Sequence, residues 1–281
     1  MPTEIDRTIA EMLELVDAEG WAEQHLAASP EFRTTFGTCV RRYGSAVAII
    51  TRHADIPALN RVFGLGVREA LTPKALDGII PDFREEGVKR LVVHWSPLSL
   101  PADGSAWLLA REFVPLRRMT KLYRRTETEL EAPTSLRIIQ IDGADANAYQ
   151  RVVAPANELS PELAPHVRAT LGQPGWRHYL AMDGARPVAG AALFVREQVA
   201  WCAASGTQPE HRGRGAQSAL LARRVRDAAI MGCEWIVAES LEETDTEGNP
   251  SYRNMRRLGF EVAYFRSSYL LTFAPAGTAT S

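Results

Sequence analysis

The chain opens with a helical pattern. From Ile5 to about Phe36 apolar residues recur at helical spacing, and Ile5, Ile9, Met12, Leu13 and Val16 share one face. Gly20 is expected to close this helix, and Trp21–Ala28 to form a second, short one that stops before Pro30. Continuous apolar runs follow. Ser45–Thr51 and Asn60–Val67 read as strands, the second with glycines near its end. Thr72 and Pro73 then supply a cap and a first-turn proline for a helix bearing Leu76, Ile79, Ile80 and Phe83. Lys89–Trp95 reads as a buried strand, Ala106–Phe113 as a short helix and Met119–Arg125 as a closing strand.

Thr126–Ser135 (TETELEAPTS) has the Glu, Thr and Pro content of a solvated linker. Beyond it the pattern predicts a strand over Leu136–Ile141 and helices over Ala144–Asn157 and Ser160–Leu171. The strands Trp176–Met182 and Pro187–Arg196 are joined at Asp183-Gly184, a hairpin signal. A strand over Val199–Ser205 leads into a helix that runs to about Met231, where Gly232 stops it. Strand Glu234–Ser240, helix Pro250–Leu258 and strand Glu261–Phe273 complete the pattern, and 274–281 has the composition of a disordered tail.

The two halves echo each other. Glu86-Gly87-Val88-Lys89-Arg90-Leu91-Val92-Val93 parallels Met231-Gly232-Cys233-Glu234-Trp235-Ile236-Val237-Ala238, and Glu112-Phe113-Val114 parallels Gly259-Phe260-Glu261-Val262. The offset is roughly 145 residues in both cases, as an internal duplication produces.

The most informative stretch is Ala200–Leu221, AWCAASGTQPEHRGRGAQSALL. Gly213 and Gly215 leave the backbone bare where a helix begins. The first N–H groups there have no intrahelical partner and the helix dipole is positive, so main chain can hold a diphosphate, with Arg212 and Arg214 adding charge at the rim. Leu221, Val225 and Ala229, with Ala228, form the apolar face of the helix, while Arg223, Arg224 and Arg226 are expected to project elsewhere. Two other readings compete. A Gly-Arg-Gly turn can be a solvated loop. Gly213, Gly215 and Ser218 also nearly spell a dinucleotide fingerprint, with Glu239 about 20 residues on. That fingerprint needs a turn tight against the strand end in a parallel sheet, whereas Pro209, Glu210, His211 and Arg212 intervene here and the preceding strands read as an antiparallel meander.

Arg212-Gly213-Arg214-Gly215-Ala216 after a strand resembles the acyl-CoA pyrophosphate loop of the GNAT superfamily of N-acyltransferases. Asn249-Pro250-Ser251-Tyr252-Arg253-Asn254-Met255-Arg256-Arg257-Leu258-Gly259-Phe260 resembles that family's later helix, which ends in Gly-Phe. The resemblance runs from about Leu136 to Phe273. It implies an α/β (α+β) protein of two tandem GNAT-like domains, each a mixed, mostly antiparallel central sheet flanked by helices. Residues 1–130 would be a degenerate copy and 134–273 the acetyltransferase. Where the second copy reads HRGRGA, the first reads VREALTPKA, and Glu69 at the corresponding place would repel a diphosphate.

By the same resemblance, the strand end at Ser205, Gly206, Thr207 and Gln208 would pair with the pantetheine arm of acetyl-CoA. The amides from Gly213 through Ala216 to Gln217, with Ser218 beside them, would take the pyrophosphate, and Ser251 and Asn254 would contact CoA. Gln217 departs from the pattern, which most often has Gly or Ala there. Met255 departs more seriously: it stands where the family often has the tyrosine that protonates the thiolate, and it cannot donate a proton. Tyr252 and Tyr264 are the substitutes considered, with Tyr269 on the same strand as Tyr264. For the base, Glu239 at the end of its strand comes first, ahead of Glu158, His178 and the cluster Glu242, Glu243 and Asp245. The implied activity is acyl transfer from acetyl-CoA to a primary amine of a small molecule or peptide by direct attack. The alternative is a non-catalytic acyl-CoA-binding or sensing module.

Composition narrows the partners. With 32 basic and 34 acidic residues the formal net charge is −2, so nothing marks the chain as a binder of nucleic acid or of an anionic membrane. Cys39, Cys202 and Cys233 are scattered, and the six histidines lack ligand spacing, which argues against a metal site or a disulfide framework. No run of about 18 apolar residues and no signal-peptide pattern occurs. The expectation is a soluble cytoplasmic protein, monomeric or homodimeric.

Overall fold

The computed structural model describes residues 5–127 and 130–274; the residues expected to form the tail lie outside these from 275 on. The chain divides into two compact units, Ile5–Thr120 with residues from Tyr264 onward, and Lys121–Ala263. The sequence suggested 1–130 and 134–273. The units are instead interleaved, because the boundaries fall inside two strands of 12 residues each, β5 (Val114–Arg125) and β11 (Glu261–Thr272).

The first unit runs α1 (Arg7–Ala27), α2 (Pro30–Phe36), β1 (Thr38–Tyr43), β2 (Ala46–Thr51), β3 (Arg61–Phe63), α3 (Pro73–Glu85), β4 (Arg90–Trp95) and α4 (Ser105–Leu109), then the first part of β5. Its strands lie in the order β1-β2-β3-β4-β11, all antiparallel except β3–β4. Every residue of β2 is buried, and alternate residues serve opposite faces. Val47 and Ile49 meet Ala18 and Ala22 of α1, whereas Ala46, Ala48 and Ile50 meet Leu76, Ile79 and Phe83 of α3.

Several elements differ from expectation. α1 runs through Gly20, because Ala18 and Ala22 on either side of it pack against the sheet and carry the helix onward. Ser29 and Pro30 therefore open α2, where Ser29 Oγ accepts from the Phe32 N–H at 3.2 Å. β1 was not foreseen: Arg41 and Arg42 interrupt its apolar pattern, but they pair with Asp82 and with Glu19. β3 stops at Phe63, and Gly64 and Gly66 at positive φ turn the chain away.

The second unit continues from the end of β5 through β6 (Arg137–Ile141), α5 (Ala146–Ala156), β7 (Trp176–Asp183), β8 (Arg186–Arg196), β9 (Val199–Thr207), α6 (Ala216–Ile230), β10 (Trp235–Leu241) and α7 (Pro250–Arg257). Its strands lie in the order β5-β10-β9-β8-β7-β6, with β9–β10 parallel. The expected helix over Ser160–Leu171 is only a 3₁₀ turn, Ala164–Arg168, in a stretch interrupted by Pro161 and Pro165. α6 packs Leu220, Leu221, Val225 and Ala228 into the core, while Ala229, expected on that face, is exposed. From β7 onward the elements repeat the first unit's order: three antiparallel strands, a helix leading to a parallel strand, a short helix, and a long last strand.

Each unit buries a histidine, His25 in α1 and His178 in β7, and burial pushes both pKa values down to about 4. The unfolded chain takes up these protons near pH 6.5 and the native chain does not. Stability is therefore complete above pH 6.5 and lost as pH falls from 6.5 toward 4, by up to about 3 kcal/mol per histidine. Urea unfolding at pH 7.5 and pH 4.5 checks this; an unchanged midpoint would mean that both rings protonate in place.

Candidate functional site

The site begins where two parallel strands part. β9 and β10 are paired over only three positions, Val199–Trp201 with Trp235–Val237. β9 then continues to Thr207 and β10 to Leu241. β9 feeds the Gly-Arg-Gly loop. Gly213 (φ +77°) and Gly215 (φ +81°) both adopt the left-handed conformation that side chains resist. Gly215 is the N-cap of α6, and no side chain caps that helix. The leading N–H groups of α6 thus face outward with the positive end of the helix dipole behind them. The corresponding helix of the first unit differs. α3 begins with Pro73, which has no N–H, and Thr72 Oγ1 accepts from the Ala75 N–H at 3.2 Å. Glu69 in the preceding loop accepts from the Ser45 N–H at 2.9 Å. One helix start is closed by its own sequence and the other is open.

A cleft of about 670 Å³ lies at the open one, the size of a small-molecule site. Its walls include Gly206 and Thr207 from β9, then Arg212, Gly213, Gly215 and Ala216 from the loop. Gln217 and Ser218 of α6 and Ser251 and Asn254 of α7 also reach it. These last four side chains form one network. Gln217 Nε2 donates to Ser251 Oγ at 2.7 Å, Asn254 Nδ2 to Gln217 Oε1 at 3.0 Å, and Ser218 Oγ to Asn254 Oδ1 at 2.8 Å. Gln217, the departure noted in the sequence, therefore ties α6 to α7 across the helix starts. Asn249 caps α7 by accepting from the Ser251 and Tyr252 N–H groups at 3.0 and 3.1 Å.

Two predicted cradle residues do not line the cleft. Arg214 is ion-paired with Asp183 of the β7–β8 hairpin, whose carboxyl it holds below the usual range. The Gln208 side chain accepts from Arg186 at 3.3 Å. Conversely, Arg224 was expected to project elsewhere, yet it is 2% exposed and lines the cleft. Its signal was its place: four residues after Leu220 and four before Ala228, it belongs to the buried stripe of α6. Gly190 and Arg257 also line the cleft and carried no signal in the sequence.

Glu239 lies two residues beyond the last β9–β10 pair. Ala238 is in the core beneath α6 and Ser240 Oγ accepts from Asn249, so the half-buried Glu239 side chain faces the other side of the sheet. Tyr252 and Met255 of α7 pack on that same core. Tyr264 belongs to the first unit, where its hydroxyl donates to Glu14 at 2.6 Å. Burial, then the Glu14 charge, pushes its pKa well above that of a free phenol. Of the weaker candidates, His178 is buried beside Thr170 and Glu243 pairs with Arg253. Among the described residues no group of His, Cys, Asp and Glu has the geometry of a metal site, and no helix is long and apolar enough to cross a membrane.

A family model described as Acetyltransferase (GNAT) family matches residues 145–260, which hold β9, the loop, α6, β10 and α7. The match lies wholly within the second unit. Solved structures extend the likeness to both units. A GCN5-related N-acetyltransferase from Kribbella flavida is 21% identical at a TM-score of 0.59, over 90% of this chain and 96% of that one. A tandem GNAT protein from the clavulanic acid biosynthesis pathway is 14% identical at a TM-score of 0.59, over 98% of each chain. A functionally unknown conserved protein from Staphylococcus epidermidis is 10% identical at 0.58, over 89% of this chain and 100% of that one. At such identities the likeness is one of fold, two GNAT-type units in one chain. No curated protein matches the sequence. The GNAT family and fold support an acyl-CoA-dependent acyltransferase activity.

Proposed function

We propose that the second unit transfers an acetyl group from acetyl-CoA to a primary amine, and that the first unit binds no CoA. The observation that carries this reading is the uncapped start of α6 behind Gly213 and Gly215, opening into a cleft of about 670 Å³. Outward N–H groups, two left-handed glycines and Arg212 fit a diphosphate. The residues that would hold the pyrophosphate are Gly213 to Ser218. Gly206 and Thr207 would run beside the pantetheine arm, with Ser251 and Asn254 across from them.

The bound thioester supplies the acyl group. Glu239 would take a proton from the substrate ammonium; the free amine then attacks the thioester carbon, the C–N bond forms, the C–S bond breaks, and CoA leaves as a thiolate that takes up the second proton released by the nitrogen. Tyr252 is the tyrosine left on the helix bordering the cleft, and Met255 beside it has no proton to give the thiolate. That absence favours one alternative, an acyl-CoA-binding module without turnover.

Calorimetric titration with acetyl-CoA and a thiol-release assay over a panel of primary amines separate the readings. Micromolar binding with turnover supports the transferase; binding without turnover on any amine supports the sensor. No binding by the folded protein would sink both. Glu239→Gln is expected to lower kcat by about 100-fold and to change acetyl-CoA affinity by less than about twofold. Unchanged kcat removes Glu239 as the base.

A further inference from the structure

Arg224 brings a buried positive charge to the cleft, and the protein supplies no negative one to match it. The side chain is 2% exposed and lines the cleft. Its hydrogen bonds go to main-chain carbonyls. Nε donates to Leu220 at 3.1 Å, one turn back on α6, and Nη1 donates to Ala192 of β8 at 3.2 Å and to Ala203 of β9 at 3.4 Å. Ala192 is opposite Ala203 and Ala191 is opposite Ser205, so β9 bulges at Ala204 and leaves the carbonyls beside it open to the guanidinium. Nη2 has no partner among the described residues.

Main-chain dipoles solvate a guanidinium without neutralising it, and a buried charge that lacks a counter-ion is costly. Among the described residues no carboxylate pairs with Arg224. Asp227, on the same helix, is held by the Tyr179 hydroxyl, Arg177 and Arg223. Tyr149 and Cys202 feel the Arg224 charge, but burial pushes both their pKa values up, so neither is an anion at neutral pH. The place left for an anion is the cleft. Its outer end is the start of α6, read above as the seat of the diphosphate. Along β9 the lining runs inward from Thr207 through Gly206 to Ser205, and Ala203, whose carbonyl Arg224 holds, follows two residues further in. A pantetheine arm laid beside Thr207 and Gly206 would carry the acyl group toward the guanidinium. Gly190, paired with Gly206, and Leu220 line the cleft there and add no charge.

We propose that the cleft selects an acyl-CoA whose acyl chain ends in a carboxylate, and that Arg224 makes the selection, with Nη2 donating to that carboxylate. The proposal rests on the acyl-CoA reading above and adds the class of acyl group. Acetyl-CoA satisfies the helix start but leaves the guanidinium without an anion, whereas a malonyl or succinyl group supplies one. The transfer follows the same steps. The amine nitrogen bonds to the thioester carbon, the C–S bond breaks, and CoA leaves as a thiolate that takes up a proton released by the nitrogen. The distal carboxylate neither gains nor loses a bond, so the product amide keeps its negative charge.

Calorimetry with two pairs of donors tests this without any acceptor. Malonyl-CoA against propionyl-CoA, and succinyl-CoA against butyryl-CoA, vary the carboxylate at a constant number of acyl carbons. At least one carboxylate donor is expected to bind the wild type about tenfold or more tighter than its uncharged counterpart, as a charge-assisted hydrogen bond to a buried group produces. In Arg224→Met that preference should vanish, with affinity for propionyl-CoA and butyryl-CoA within about twofold of the wild type. Arg212 and Arg257 also line the cleft, and Arg212→Met and Arg257→Met should keep the preference whatever their effect on affinity as a whole. Equal affinities within both pairs, a preference that survives in Arg224→Met, or one lost in either of the other variants overturns the proposal alone. No binding of any acyl-CoA by the wild type, acetyl-CoA included, overturns the donor reading and the proposal with it. Should Arg224→Met not fold, the wild-type comparison and the Arg212 and Arg257 variants decide.

Discussion

Replacing Arg266 with methionine is expected to destabilise the protein by about 3–5 kcal/mol. Arg266 is fully buried in the first unit, and its side chain reaches Glu14 Oε1 at 3.2 Å and Asp17 Oδ2 at 3.1 Å, both also fully buried. Tyr264 donates to the other oxygen of Glu14 at 2.6 Å, and the guanidinium lies 5.5 Å from the ring centre of Phe63. One cation is thus shared by two carboxylates on one turn of α1. Methionine is close in volume to the arginine side chain but removes that charge from between two fully buried carboxylates. The magnitude follows from breaking a buried pair, where one side is left uncompensated; an exposed pair such as Arg7–Glu11 contributes less than about 1 kcal/mol. Urea unfolding of the two variants Arg266→Met and Arg7→Met makes the comparison. A loss below about 1 kcal/mol for Arg266→Met would show that the cluster does not hold α1 to β11.

The largest effect on binding is expected from Gly215→Glu. At φ +81° any side chain is strained, and a Cβ here would stand 3.1 Å from the Pro133 carbonyl. The carboxylate would moreover occupy the helix start that is to receive the diphosphate. Acetyl-CoA affinity should fall by at least about 100-fold, or about 2.7 kcal/mol. Two further variants separate the causes. Gly215→Ala carries the strain without the charge. Gly232→Glu carries the same carboxylate at nearly the same φ (+83°), but just past the far end of α6 and with nothing within 4 Å of its Cβ. If Gly215→Glu and Gly232→Glu bind acetyl-CoA equally well, the loop is only a turn.

Much of this molecule is legible in one dimension, and the legible parts share a cause. Thr72-Pro73 before Leu76, Asp183-Gly184 between strands, and the glycines before α6 each act on the few residues beside them, through a cap, a turn or a bare helix start. Local chemistry of that kind survives being read without the fold. The open helix start and its closed counterpart at α3 were recognisable for that reason, whereas Gln208 and Arg214, read as part of the same stretch, turn to Arg186 and Asp183 instead.

What failed to show were features created by the rest of the chain. Gly20 reads as a stop until Ala18 and Ala22 have a sheet to pack against. The last strands β5 and β11 read as each half's closing strand, and only the fold reveals that each is divided between the two units. Tyr264 reads as a candidate acid until Glu14, 250 positions away, is seen to hold its hydroxyl. Arg224 looks like one of several charges on a helix. Its guanidinium is drawn under the cleft by carbonyls that a bulge in a distant strand sets free. The sequence by itself determined the starts of α3, α6 and α7, the Asp183-Gly184 turn and the pair of glycines before α6, because each depends on neighbours along the chain. Only the tertiary structure decided which buried polar groups meet, because hydrogen bonds between distant segments form where packing removes water.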